Sequence, residues 1–152
     1  MIEYPKLSIA LEYLEAAIEE RELHQRYFSA MNLAGVAEEL LGKIIRVVGK
    51  TDQLTDTLNT LSEIQKVGIE NLGWEEKSRK DLKNLLGSTK NNIKHMDNVF
   101  DINAKLYFEV EDESKRLIQA AIRNLDILEI YHSGTVKGFI DKYPESPEEE
   151  KL

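Results

Sequence analysis

Between Gln25 and Val48 the chain carries an apolar surface too wide for a helix that lies on water along one side. Ala30, Ala34, Ala37, Leu41, Ile44 and Val48 recur along one line at helical spacing. Leu33, Val36, Leu40 and Val47 flank that line on one side, and Tyr27, Met31 and Ile45 on the other. An arc of that width predicts a central, largely buried helix, with alanines that let a neighbouring backbone approach closely. Such a helix has to be covered by others, and the remaining sequence supplies them.

A first helix is predicted from about Pro5 to Arg21, with Pro5 suited to its first turn and Leu7, Leu11, Leu14 and Ile18 forming one stripe. Gly49 ends the central helix, and Thr51 or Asp52 caps a third one carrying Leu54, Leu58, Leu61 and Ile64. That helix stops between Asn71 and Trp74, where Gly68 and Gly73 punctuate the chain. A fourth helical region spans about Glu76 to His95, with a break expected near Gly87. Residues from Asp97 to Val110 read as a loop in which Leu106 to Val110 form a short extended piece. A further helix runs from about Glu111 to Tyr131, with Leu117, Ala121, Leu125 and Leu128 inward, and a last short one covers Val136 to Tyr143. The expectation is an all-α, single-domain bundle of about five helices over residues 1–143. Residues 144–152 form an acidic, solvated tail: PESPEEEKL holds four glutamates, two prolines and no apolar periodicity.

Composition narrows the function classes. The 152 residues suffice for one core, and 41% hydrophobic with 32% charged residues suits a globular helical protein. No apolar run is long enough for a transmembrane helix, and the N-terminus lacks the basic-then-apolar pattern of a signal peptide. Zero cysteines exclude disulfides and thiolate metal sites and agree with a reducing, cytoplasmic setting. A formal net charge of −8 repels phosphate backbones on average, so any nucleic-acid contact must use a local basic patch.

The usual catalytic signatures are missing. His24, His95 and His132 form no HExxH pair, and only Glu129 and His132 have the i, i+3 spacing of a carboxylate-bundle ligand set, so no metal or cofactor is expected. The glycines match no nucleotide fingerprint, and there is no Gly-x-Ser-x-Gly elbow.

One segment stands apart. Lys90-Asn91-Asn92-Ile93-Lys94-His95 sets cations, amides and a histidine within six residues, inside the most basic stretch of the chain (residues 77–95). His95 could act as general acid or base on a ribose 2′-hydroxyl, and Lys90 or Lys94 could stabilise charge building on phosphorus. The same residues read equally well as a polar helix end with solvated lysines. Glu38 falls inside the apolar arc of the central helix, where an unpaired carboxylate is costly. It either holds a cation or the start of a neighbouring helix, or it orients the His95 imidazole. Trp74 reads as a lid on the core rather than a base-stacking platform.

The stretch RYFSAMNLAGVAEELLGKII (Arg26 to Ile45) resembles the second helix of HEPN-type domains, an alanine-rich apolar helix with paired glutamates. KNNIKH resembles their signature, an arginine followed after four to six residues by histidine, with a polar residue often directly after the arginine. Lys90, Asn91 and His95 occupy those positions, and the resemblance covers most of residues 5–130. It implies a helical bundle that pairs as a homodimer, bringing two motifs into one cleft. It also implies either metal-independent RNA cutting in toxin–antitoxin and defence systems, or a silent binding module paired with an antitoxin or a nucleotidyltransferase. The sequence departs at Lys90, which keeps the charge of arginine but loses its bidentate fork. Three readings therefore stand: a HEPN-like dimerising or binding module with weakened or absent catalysis, a metal-independent endoribonuclease using His95 with Lys90 and Asn91, and an unrelated helical interaction protein.

Overall fold

A computed structural model describes residues 5–94 and 108–144. They form an all-α bundle of six helices: α1 (Lys6–Glu22), α2 (Tyr27–Val47), α3 (Gln53–Leu72), α4 (Arg79–Lys94), α5 (Val110–Ile127) and α6 (Gly134–Lys142). Among the described residues none is long and apolar enough to cross a membrane.

The wide apolar arc of α2 places it at the centre. Ala30, Ala34, Ala37, Leu41 and Ile45 are fully buried, and α2 packs most extensively on α1 and α5. The short turn after α1 folds α2 back along it, with Gln25 in the left-handed region (φ 54°) and the Arg26 N–H on the Glu20 carbonyl at 2.9 Å. Leu14 and Ile18 of α1 and Leu117, Ile118 and Leu125 of α5 fill the core with Met31 and Leu41, and Val136 and Phe139 of α6 close its end. Burying a side chain such as Leu41 contributes roughly 1.5–3 kcal/mol. The alanine face of α2 is covered by the chain's own α1 and α5.

Local chemistry sets the boundaries. Gly49 (φ 77°) turns the chain out of α2, and Lys50 closes the turn onto the Ile45 carbonyl at 3.0 Å. Asp52 caps α3, accepting from the Thr55 N–H at 3.3 Å. Gly73 (φ 68°) ends α3, and the Trp74 ring packs on Gly68 with half of its surface exposed. Ser78 accepts from the Asp81 N–H at 3.1 Å and donates to its carboxylate at 2.6 Å, so α4 starts at Arg79, three residues later than the spacing predicts. α4 runs through Gly87 without the expected break. α5 ends at Ile127 rather than Tyr131, because Glu129 takes a left-handed conformation (φ 58°). Val110, expected in a loop or short extended piece, is the first residue of α5, and Leu106 of that piece lies outside the described residues. The acidic tail beyond Pro144 lies outside them too.

The α3–α4 hairpin is the thinly packed part of the molecule. Its buried positions among the described side chains are Leu58, Gly68 and Leu82.

Candidate functional site

α2, α3, α4 and α5 surround a cleft of about 390 Å³. Its floor holds the buried residues Glu38, Asp52, Leu117 and Ala120. Glu39, Lys43 and Arg46 form the α2 wall, Gln53, Leu54 and Thr57 the α3 wall, and Arg116 projects from α5. The α4 wall is Lys83, Asn84, Leu86, Gly87 and Asn91.

The floor is held by one polar junction. Asn124, fully buried on α5, accepts from the Gln53 N–H at 3.0 Å and donates to the Glu38 carbonyl at 3.2 Å, tying α2 to the start of α3. Asp52, 1% exposed, also binds Arg46 and the Thr55 hydroxyl. Gly42 makes room for this: a Cβ there would lie 2.8 Å from the Asp52 Oδ2 atom.

The charges of the cleft are largely matched. Lys43 pairs with Glu39 at 2.8 Å, Arg46 with Asp52, and Arg116 with Glu113 through two contacts of 2.8 and 2.6 Å. The bond to Glu113 raises the Arg116 pKa above its ordinary value despite partial desolvation, and the negative charge of Glu38 adds to the rise. Among the described residues Lys83 makes no ion pair.

The sequence candidates separate here. Glu38 is 8% exposed on the cleft floor, and Asn91 lines the same cleft from α4, so these two are brought together. Lys90 lies on α4 with its side chain outside the description, and His95 lies outside the described residues. Glu38 lies near enough to Arg116 for its negative charge to add to the rise in that group's pKa. His24 is exposed, and the His132 Nε2 atom lies 2.7 Å from Asp126 on a different part of the molecule. No group of three His, Asp or Glu residues among the described ones is placed to hold a metal ion.

A second polar centre joins the ends of α1, α5 and α6. Arg21, 8% exposed, donates to the Ser114 hydroxyl at 3.1 Å, the Tyr143 hydroxyl at 2.8 Å and the Glu111 carbonyl at 3.3 Å, and pairs with Glu22. Burial opposes its charge, but the bonds to Tyr143 and Glu22 outweigh that and raise its pKa. Glu22 also pairs with Lys142, and those contacts hold its carboxyl below the ordinary value in spite of burial. Every donor here is engaged within the chain, so this centre reads as a clasp between helices.

Sequence reasoning passed over Arg21 and Asn124, though both carried a signal. Arg21 continues the line Leu7, Leu11, Leu14, Ile18, and Asn124 continues Leu117 and Ala121. A polar residue on an apolar line is a buried polar residue in need of partners. Arg116 carried no such mark.

No family model matches the chain, and neither a curated protein nor a solved structure is found to be similar to it.

Proposed function

We propose that this chain is a HEPN-like helical module of the cytoplasm that pairs with itself and acts by binding, as a component of a toxin–antitoxin or defence system, with catalysis weakened or lost. The balance of charge in the cleft carries this reading. Four cations face three carboxylates, and three of the cations are tied to carboxylates in ion pairs. A site that cuts a phosphodiester must offer positive charge where negative charge builds in the transition state. Pairing has neutralised most of that charge, and Lys90 replaces the arginine whose fork would grip phosphate. An antitoxin or a nucleotidyltransferase is the kind of protein partner that the resemblance implies. Sedimentation velocity at tens of micromolar should find a dimer, and a monomer across that range overturns the pairing.

One observation favours a second reading, a metal-independent endoribonuclease using His95 with Lys90 and Asn91. Asn91 lines the cleft that holds Glu38, so two residues singled out for chemistry share one site. Its signature is RNA cleavage that survives a chelator and disappears in His95→Ala.

A further inference from the structure

The α3–α4 hairpin leaves both apolar and charged groups unengaged. On α3, Gln53 and Thr57 line the cleft, and Thr60, Ile64 and Val67 continue their line at spacings of three, four and three. Ile64 and Val67 are 50% and 59% exposed. On α4, Asn84, Gly87 and Asn91 line the cleft, and Lys80 continues that line while Lys83 stands beside it. The cleft side of the hairpin is therefore an aliphatic stripe next to a basic one. Glu63 and Glu70 flank Val67 at i−4 and i+3 on the outer edge of α3.

Charge is segregated along this hairpin. Residues 52–76 carry six carboxylates and one lysine, whereas residues 77–94 carry six cations and one aspartate. Yet among the described residues no ion pair engages Glu63, Glu70, Lys80 or Lys83. The Gln65 side chain bonds to the backbone of Lys77, donating to its carbonyl and accepting from its N–H at 2.9 Å each. Opposite charges on one element, unpaired among the described residues, fit a partner of the same design.

We infer that a second copy of this chain seats on the cleft side of the hairpin, with α3 of each copy against α4 of the other. The inference rests on the self-pairing proposed above and names its surface. A two-fold axis satisfies both halves at once: the acidic edge of each α3 meets the basic stripe of each α4, and Ile64 and Val67 meet across the axis. Two helices side by side, the shorter about 24 Å long and each about 10 Å wide, offer a face of roughly 500 Å² per copy. That is at the small end of specific interfaces and predicts a weak, salt-sensitive dimer. RNA is the poorer occupant, because the face sets the carboxylates Glu63 and Glu70 and aliphatic side chains beside its cations, and carboxylates repel a phosphate backbone.

Charge reversal tests the arrangement. The variants Lys80→Glu with Lys83→Glu, and Glu63→Lys with Glu70→Lys, are compared with the wild type by sedimentation velocity at low and high salt, with circular dichroism to verify helical content. The wild type is expected to dimerise, more weakly as salt rises, and each reversed variant to dissociate at least tenfold more readily. An equimolar mixture of the two should regain the dimer, since both contacts are then complementary again. A wild-type monomer would overturn the self-pairing and this surface together. A wild-type dimer that both variants preserve, or variants that fall apart and do not recombine, would overturn this surface and leave self-pairing standing.

Discussion

Gly68→Ala sets two well-measured effects against each other. Gly68 lies inside α3, where alanine is favoured over glycine by about 1 kcal/mol, so propensity alone predicts a more stable protein. The packing predicts the opposite. A Cβ at this position would lie 2.6 Å from the Trp74 Cζ3 atom and nearer still to Cδ2 and Cε3, so the ring must leave. Trp74 is 50% exposed, so the half it buries amounts to about 125 Å². At about 25 cal/mol per Å² that burial contributes about 3 kcal/mol, an upper value because part of the surface finds new cover. The net expectation is a loss of about 1–2 kcal/mol, or a melting temperature lower by about 5 °C for a chain of this length. Trp74 is the single tryptophan, so its emission reports the displacement directly. A red-shifted emission together with a lower melting temperature is expected. A variant at least as stable as the wild type with unchanged emission would refute the packing argument.

Two further perturbations address the polar centres. Asn124→Ala removes the bonds to the Gln53 N–H and the Glu38 carbonyl and leaves both groups under-satisfied in a buried site, so urea unfolding should show a loss of about 2–4 kcal/mol. A loss below about 1 kcal/mol would mean that water replaces the side chain. Glu22 titrates below the ordinary value of 4.5 in the folded chain, so its contribution is complete above that pH and fades as pH falls through the folded value. Melting temperature should therefore drop on acidification below about pH 4.5, and Glu22→Gln should flatten that limb. An unchanged acid limb in the variant would remove Glu22 from the clasp.

Much of the fold can be read from the sequence because helical periodicity records burial. The arc of α2, the stripe of α1, the cap at Asp52 and the stop at Gly49 are all written in local spacing. The apolar spacing extends α5 too far, because Leu128 and Ile130 continue the pattern while the backbone turns at Glu129, a residue type with no special tendency to do so. The cleft was only half legible. Glu38 betrays itself as a carboxylate within an apolar arc, but its neighbour Arg116 is known only once α5 is laid against α2, and spacing along one chain carries no record of that. Asn91 stands out in the sequence for its place in a motif, and its presence in the same cleft as Glu38 follows from where α4 packs.

Whether this module binds or cuts is decided by incubating a mixed RNA pool with EDTA and comparing the wild type, Lys90→Arg and His95→Ala. No cleavage by the wild type is expected, because paired cations and a lysine at position 90 leave too little charge for the transition state. Cleavage by the wild type that His95→Ala abolishes would contradict it and make the chain a ribonuclease in which lysine suffices.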